Sequence, residues 1–186
     1  YVEIGGTVRS QTALYDVAKP EITRLAQKSA TALVTLSTEQ RGRCVALAVI
    51  QGEQNISYDF TAGTQFDMHS SGVGKAMLAE YSPQRVEEII DTHGLEARTK
   101  HTITDRDTLR SELDHIARSD VAYDREEYRL GMATISNALT TAAGNVLGGV
   151  SVTIPADMLR DESVIESLKT KLLATTNVIE LNIANE

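Results

Sequence analysis

The sequence contains a single cysteine in 186 residues, so neither a disulfide framework nor a cysteine-based zinc cluster can form within the chain. That cysteine, Cys44, begins the apolar run 44–50, where we expect a buried thiol. No apolar run approaches the roughly 18 residues that a membrane span needs. The first residues also show no secretory-signal pattern. We therefore expect a cytoplasmic protein without a membrane span.

Basic residues are also scarce, since 18 Lys and Arg face 26 Asp and Glu and the formal net charge is -8. Affinity for DNA depends largely on neutralising phosphates with basic side chains. The composition therefore predicts that these residues do not themselves bind nucleic acid.

Catalytic and cofactor motifs are absent as well. A phosphate-binding loop ending at Gly74-Lys75 would need glycine at position 69 and Ser or Thr at 76, but the sequence has His69 and Ala76. No nucleophile elbow or cluster of metal ligands is present, and the four histidines are scattered. The neighbouring carboxylates 126 and 127 would point in opposite directions on a strand. We predict no enzymatic activity, no cofactor and no metal.

The periodicity that is present predicts a mixed α/β chain in one domain of ordinary size. We expect an antiparallel meander at the start of the chain, because the first strands are separated by turn-forming residues. Ser82 and Pro83 are suited to the N-cap and first turn of a helix. The predicted strands are 32–37, 44–50, 55–60, 121–123, 132–140 and 146–154, and the predicted helices are 16–29, 72–80, 83–92, 105–118 and 161–183.

The most informative segment is the small-residue loop before the helix predicted from residue 72. Ser70, Ser71, Gly72 and Gly74 leave its backbone open to close approach. The first amides of a helix lack intrahelical acceptors and are partly positive, so they can hold a carboxylate or phosphate. The alternative is a plain turn with a serine cap, and the segment alone does not separate the two.

Four ordered segments resemble the IclR family of transcriptional regulators. Residues 63–79 resemble its G-x-x-x-P-L-H-x-x-A-x-G-K-A-x-L-A run, and 99–113 its T-x-x-T-I…L…L pattern. Residues 121–131 resemble its G-x-A-x-D-x-E-E-x-x-x-G element, and 144–153 its last strand. The first segment departs from the pattern at Asp67, where proline is usual, which would place an extra negative charge before the loop.

The resemblance implies an α/β (α+β) fold of the GAF-like type, with a central antiparallel sheet flanked by helices. It implies that residues 1–15 end a linker from a winged helix-turn-helix module that does not precede Tyr1 here, and that 16–186 bind a small-molecule effector. The effector is expected to be an organic acid or aromatic catabolite, and DNA is bound only through the missing module. Self-association as a homodimer or homotetramer is also implied.

The same resemblance implies a binding site between the sheet and the loop. The amides of Gly72 and Val73 would hold a carboxylate, and Asp124 would accept a hydrogen bond from a ligand hydroxyl or brace its turn. The other expected site residues are Met132 and Thr134 as lining, Ser151 and Thr153 as hydroxyl donors, and Phe66 and Tyr58 as an apolar wall. A ligand-free oligomerisation module, or less plausibly a small-molecule enzyme, is the alternative; the first predicts that residues 70–74 are buried at a contact.

Overall fold

The computed structural model describes residues 2–29, 33–52 and 59–185, with side chains described from residue 12 onward. The strands are β1 (Leu33–Gln40), β2 (Arg43–Gln51), β3 (Gln65–Asp67), β4 (Ala122–Arg125), β5 (Met132–Thr140) and β6 (Val146–Pro155). The α-helices are α1 (Val2–Lys28), α2 (Gly72–Ala79), α3 (Pro83–His93), α4 (Arg106–Ser119) and α5 (Glu162–Ala184). A short 3-10 helix, Ala156–Arg160, joins β6 to α5.

The six strands form one antiparallel sheet in the order β3-β2-β1-β6-β5-β4. β1 and β2 form a hairpin that turns at Arg41 and Gly42, both at positive φ. The pairing of β1 with β6 then joins the first three strands of the chain to the last three in one sheet. An antiparallel sheet flanked by helices is therefore the observed fold, as the sequence predicts.

The two faces of the sheet are covered by different helices because strand residues alternate in direction. Val150, Val152 and Ile154 of β6 pack into the core shared with α1 and α5. Ser151 and Thr153, which alternate with these apolar residues along β6, point to the opposite face of the sheet. A second core there contains buried residues of α2, α3 and α4. The polar residues of β6 thus lie on the same side as the N-terminus of α2.

The first helix is longer than predicted. The sequence predicts a helix that begins at Asp16, with Pro20 near its start. The observed helix α1 begins at Val2, so Pro20 lies in its interior. Leu14 is 3% exposed and belongs to the same core as Ala18 and Ile22, so the helical spacing of apolar residues continues before Asp16. Residues 2–15, predicted as linker, are thus helical, and Leu14 packs in the core.

The third strand also differs from the prediction. Of the predicted strand 55–60, residues 55–58 lie outside the described residues, and residues 59 and 60 are not in a strand. On the side of β2 away from β1, the pairing strand is β3, which lies inside the segment that the sequence suggested only as a loop. Its three residues are too few for a period-two pattern to be recognised.

The helix starts follow local capping chemistry. Ser82 caps α3 and accepts a hydrogen bond from the amide of Arg85 at 3.3 Å, with Pro83 in the first turn. Asp105 caps α4 and Asp161 caps α5. Among the described residues, no helix combines the length and the apolar character needed to cross a bilayer.

Candidate functional site

A cavity lies between the polar face of the sheet and the N-terminus of α2. The empty space in and directly outside it, open solvent included, is about 380 Å³. Strands β1, β4, β5 and β6 form its floor, and α2 and aromatic side chains form its walls. Its described lining residues are Leu33, Thr35, Phe60, Phe66, Ser71, Gly72, Val73, Asp124, Tyr128, Thr134, Ser151 and Thr153.

The floor of the cavity is a row of polar side chains set by strand register. Thr153 of β6 pairs with Thr134 of β5, which pairs with Asp124 of β4. In the next row, Ser151 pairs with Thr35 of β1. Directly paired residues share a face and stand close together. The register therefore gathers four hydroxyls and one carboxyl, drawn from four strands, on one surface.

The N-terminus of α2 closes the cavity above this floor. Ser71 is the N-cap: its hydroxyl accepts from the amide of Gly74 at 3.2 Å and its carbonyl from that of Lys75 at 2.9 Å. The earlier amides, those of Gly72 and Val73, have no acceptor within the helix. Two partly positive amides therefore belong to residues that line the cavity.

The close approach of α2 to the sheet depends on glycine. A Cβ at Gly72 would collide with the hydroxyls of Thr134 and Ser136. A Cβ at Gly149 of β6 would meet the Val73 side chain at 2.6 Å. These two glycines let the helix terminus sit directly on the polar rows.

Asp124 is the charged group of the cavity floor and is 4% exposed. Its Oδ1 accepts hydrogen bonds from the amides of Glu127 at 2.7 Å and Tyr128 at 3.3 Å. Burial raises the pKa of Asp124 to about 7, although these amide bonds and Lys75 act in the opposite direction. Asp124 thus braces its turn, as one expectation held, and also lines the cavity.

An aromatic cluster forms the apolar wall. The ring of Phe66 lies 5.1 Å from that of Phe60 and 5.9 Å from that of Tyr128, in tilted and edge arrangements. Such pairs stabilise beyond their buried area. Phe66 is the residue of this wall that the sequence suggested, and Tyr58 lies outside the described residues.

The structure brings seven of the nine suggested residues together: Phe66, Gly72, Val73, Asp124, Thr134, Ser151 and Thr153. Met132 is not among the described lining residues. It shares a face with Thr134 but pairs with Pro155 at the end of β6, one row farther from α2. Leu33, Thr35, Phe60, Ser71 and Tyr128 line the cavity but were not suggested. The alternation of Leu33 and Thr35 is visible in the sequence, but their place beside β6 depends on a pairing that the sequence does not show.

Two neighbouring residues of the loop and helix have structural roles. Gly74, which looked as promising as Gly72, is not among the described lining residues. A Cβ there would collide with the backbone of Met68, so Gly74 permits loop packing. Lys75 is fully buried, and its Nζ donates to Glu127 Oε1 at 2.7 Å and to Glu112 Oε1 at 3.1 Å.

Asp67, the departure from the usual proline, does not add charge to the cavity. Its carboxylate pairs with Arg43 of β2 at 2.7 Å and with the guanidinium of Arg98. Burial acts to raise the pKa of Asp67, but the hydrogen bonds and charge of Arg98, with the charge of Arg43, hold it below its usual value. These ion pairs join the residues before α2 to β2 and to Arg98.

Replacing Asp67 with Asn should lower the free energy of unfolding by roughly 1 to 2 kcal/mol at neutral pH, because the partly exposed arginines lose a charged acceptor. A depressed pKa gives stability that is present above the unfolded value of about 4 and is lost as the pH falls below it. The difference between the two proteins should therefore shrink in acid. Urea unfolding at about pH 7 and about pH 3 measures it, and a difference that persists in acid would contradict this account.

Comparison with known proteins identifies the family. A sequence profile described as the bacterial transcriptional regulator IclR C-terminal region matches residues 6–181. The probable HTH-type transcriptional regulator ArcR of Halobacterium salinarum is 26% identical over 186 residues, which cover 98% of this chain and 70% of that protein. The HTH-type transcriptional regulator BhcR of Paracoccus denitrificans is 30% identical over 162 residues, 84% of this chain but only 56% of BhcR.

Solved structures share the fold. The Thermotoga maritima IclR crystal structure has a TM-score of 0.86 at 24% identity and covers 99% of this chain and 74% of that one. An IclR homologue from Microbacterium hydrocarbonoxydans, solved in complex with 4-hydroxybenzoate, has a TM-score of 0.83 at 19% identity. The match covers 95% of this chain and 70% of that one. The chain therefore belongs to the IclR family of bacterial transcriptional regulators, as its C-terminal, effector-binding domain, and not to a family of enzymes.

Proposed function

We propose that the cavity binds a small organic anion, with its carboxylate at the amides of Gly72 and Val73 and its remaining atoms against the aromatic wall. The observation that carries this proposal is that the helix terminus and the hydroxyl rows line one cavity. None of the described lining residues is Lys, Arg or His, so amides and hydroxyls would hold the anion. The 4-hydroxybenzoate bound by the Microbacterium homologue supports the ligand class.

The role in the intact regulator is part of the proposal. DNA would be contacted by a winged helix-turn-helix module outside these 186 residues, with residues 1–15 as the end of the linker from it, helical from residue 2, and 16–186 as the sensor. The acidic composition and the HTH-type names of the relatives support this division. Ligand binding would bias the arrangement of paired sensor domains, and hence of their DNA-binding modules.

A ligand screen tests the binding function directly. Acetate, benzoate and 4-hydroxybenzoate should raise the melting temperature of this domain, whereas benzamide, which lacks the negative charge, should raise it less at equal concentration. Absence of a shift with all three acids would contradict the proposal and favour a ligand-free oligomerisation module.

The hydroxyl rows give a matched pair of variants. Thr153→Val keeps the shape of the side chain but removes a hydroxyl from the cavity floor, so it should weaken benzoate binding about three- to tenfold if that hydroxyl donates to the ligand. Thr38→Val is the control, because Thr38 is a buried sheet threonine that bonds to the carbonyl of Leu147 at 3.2 Å and is not among the described lining residues. Isothermal titration of both variants measures the difference. Equal losses of benzoate affinity in the two variants would show that the substitutions act through the stability of the sheet and not through the binding site.

A further inference from the structure

The two carboxyl oxygens of Asp124 differ in their hydrogen bonding to the protein. Oδ1 accepts both amide hydrogen bonds of the turn, from Glu127 and Tyr128. Oδ2 has no hydrogen-bond partner among the described residues, and the residue lines the cavity. A Cβ at Gly72 would lie 3.4 Å from the backbone nitrogen of Asp124, so Asp124 and the N-terminus of α2 are neighbours, and both line this cavity.

Charge balance in this cavity is unfavourable for two anions. The described lining residues include no cation. Lys75 of α2 acts on Asp124 through its charge, but its Nζ is already bonded to Glu127 and Glu112. An ionised Asp124 beside a ligand carboxylate would place two like charges in a small, largely buried space, which strongly disfavours ionisation of both.

We propose that Asp124 binds the effector as a neutral carboxylic acid whose protonated Oδ2 donates to the ligand carboxylate, so that an anion enters together with one proton wherever Asp124 is ionised in the free protein. The proton comes from solvent and stays on Asp124, and no covalent bond changes. The inference rests on the proposed function and deepens it: Asp124 becomes the residue that selects carboxylate anions over ligands that present only hydrogen-bond donors.

The ionisation of Asp124 is suited to this role. Burial is the largest influence on the pKa of Asp124 and raises it to about 7, and the charge of Glu127 acts in the same direction. The amides of Glu127 and Tyr128 and the charge of Lys75 oppose this rise. A bound anion would raise the pKa further, so binding above neutral pH should take up a proton.

Other titratable and charged groups lie around Asp124. Lys75 faces it from α2, with Glu112 of α4 behind, and Glu127 and Tyr128 face it from the turn. Burial raises the pKa of Tyr128 above its usual value near 10, away from neutral pH. Burial lowers the pKa of His69, a buried residue of the loop, below its usual value of about 6.5.

The test is isothermal titration of the domain with benzoate and acetate between about pH 6 and about pH 8.5, where both acids stay ionised. If only neutral Asp124 binds them, a pKa of about 7 predicts affinity roughly 30-fold weaker at the upper pH. At the upper pH, titrations in triethanolamine and in Tris, two cationic buffers that differ in ionisation enthalpy, should report uptake of close to one proton per ligand. Affinity that is flat, or that rises with pH as an ionised acceptor would require, overturns the proposal.

Asp124→Asn is the discriminating variant, since its amide group still accepts at one end and donates at the other but cannot titrate. The variant should still bind benzoate near pH 6, and its affinity should no longer depend on pH. If Asp124 had a purely structural role, the substitution would leave the pH dependence of the affinity unchanged. NMR titration of the free wild-type protein should find its carboxyl titrating near pH 7, and titration near 4 overturns the proposal. Absence of acid binding at every pH contradicts the proposed function as well, whereas binding without proton uptake contradicts only this inference.

Discussion

Replacing Lys75 with Met is expected to lower the free energy of unfolding by about 3 to 5 kcal/mol, the effect typical of removing one partner of a buried ion pair. The Lys75 side chain is fully buried, and that of its partner Glu127 is 8% exposed. The variant would leave the Glu127 carboxylate buried without its cation, and Oε2 of that carboxylate already has no partner among the described residues. Urea unfolding at neutral pH measures the change.

The double variant Lys75→Met/Glu127→Gln is the control, because it removes both charges of the pair. Replacing a whole buried ion pair is often close to neutral, so the double variant should recover most of the stability lost in the single one. A double variant as unstable as the single one would show that the methylene packing of Lys75 accounts for the loss, and not its charge.

Replacing Gly72 with Val is expected to abolish benzoate binding and to lower stability by about 1 to 3 kcal/mol through overpacking. The first atom of the new side chain collides with the hydroxyl of Thr134, which stands on the cavity floor, and with that of Ser136, which pairs with Ser151 of the floor. The branched atoms beyond it would fill the space beside the α2 terminus. Isothermal titration and urea unfolding of the same preparation separate the two effects.

Gly74→Ala is the matched control, two residues along the same helix. Its Cβ would collide with the backbone oxygen and Cα of Met68, which cannot rotate away, so the stability loss should be similar or larger. Gly74 is not among the described lining residues, so binding per folded molecule should persist. Loss of binding in both variants to the same degree would show that Gly72 acts only through packing.

Part of the candidate site could be inferred from local signals in the sequence, whereas Asp124, Met132 and Thr134 were suggested only by the family resemblance. The loop before α2 joins a serine cap to a helix start, and Ser151 and Thr153 alternate with Val150 and Val152 as one strand face requires. The aromatic wall could not be inferred in full. Tyr128 lies in the turn after β4, in which Glu126 has a positive φ. The contact of Tyr128 with Phe66 depends on the placement of β3 and β4, which form the two edges of the sheet.

Local sequence patterns were sufficient to infer the helices from residue 72 onward, the central strands, the polar face of β6 and the family, because periodicity, caps and motif spacing act over a few residues. Three features became visible only in the folded chain: which glycine approaches the floor, the burial of Lys75 against Glu127, and the position of Thr35 beside Ser151. These contacts join residues far apart in sequence, so they follow from strand order and helix placement. The ionisation of Asp124 belongs to the same class, because burial by several elements, and not its neighbours in sequence, raises its pKa.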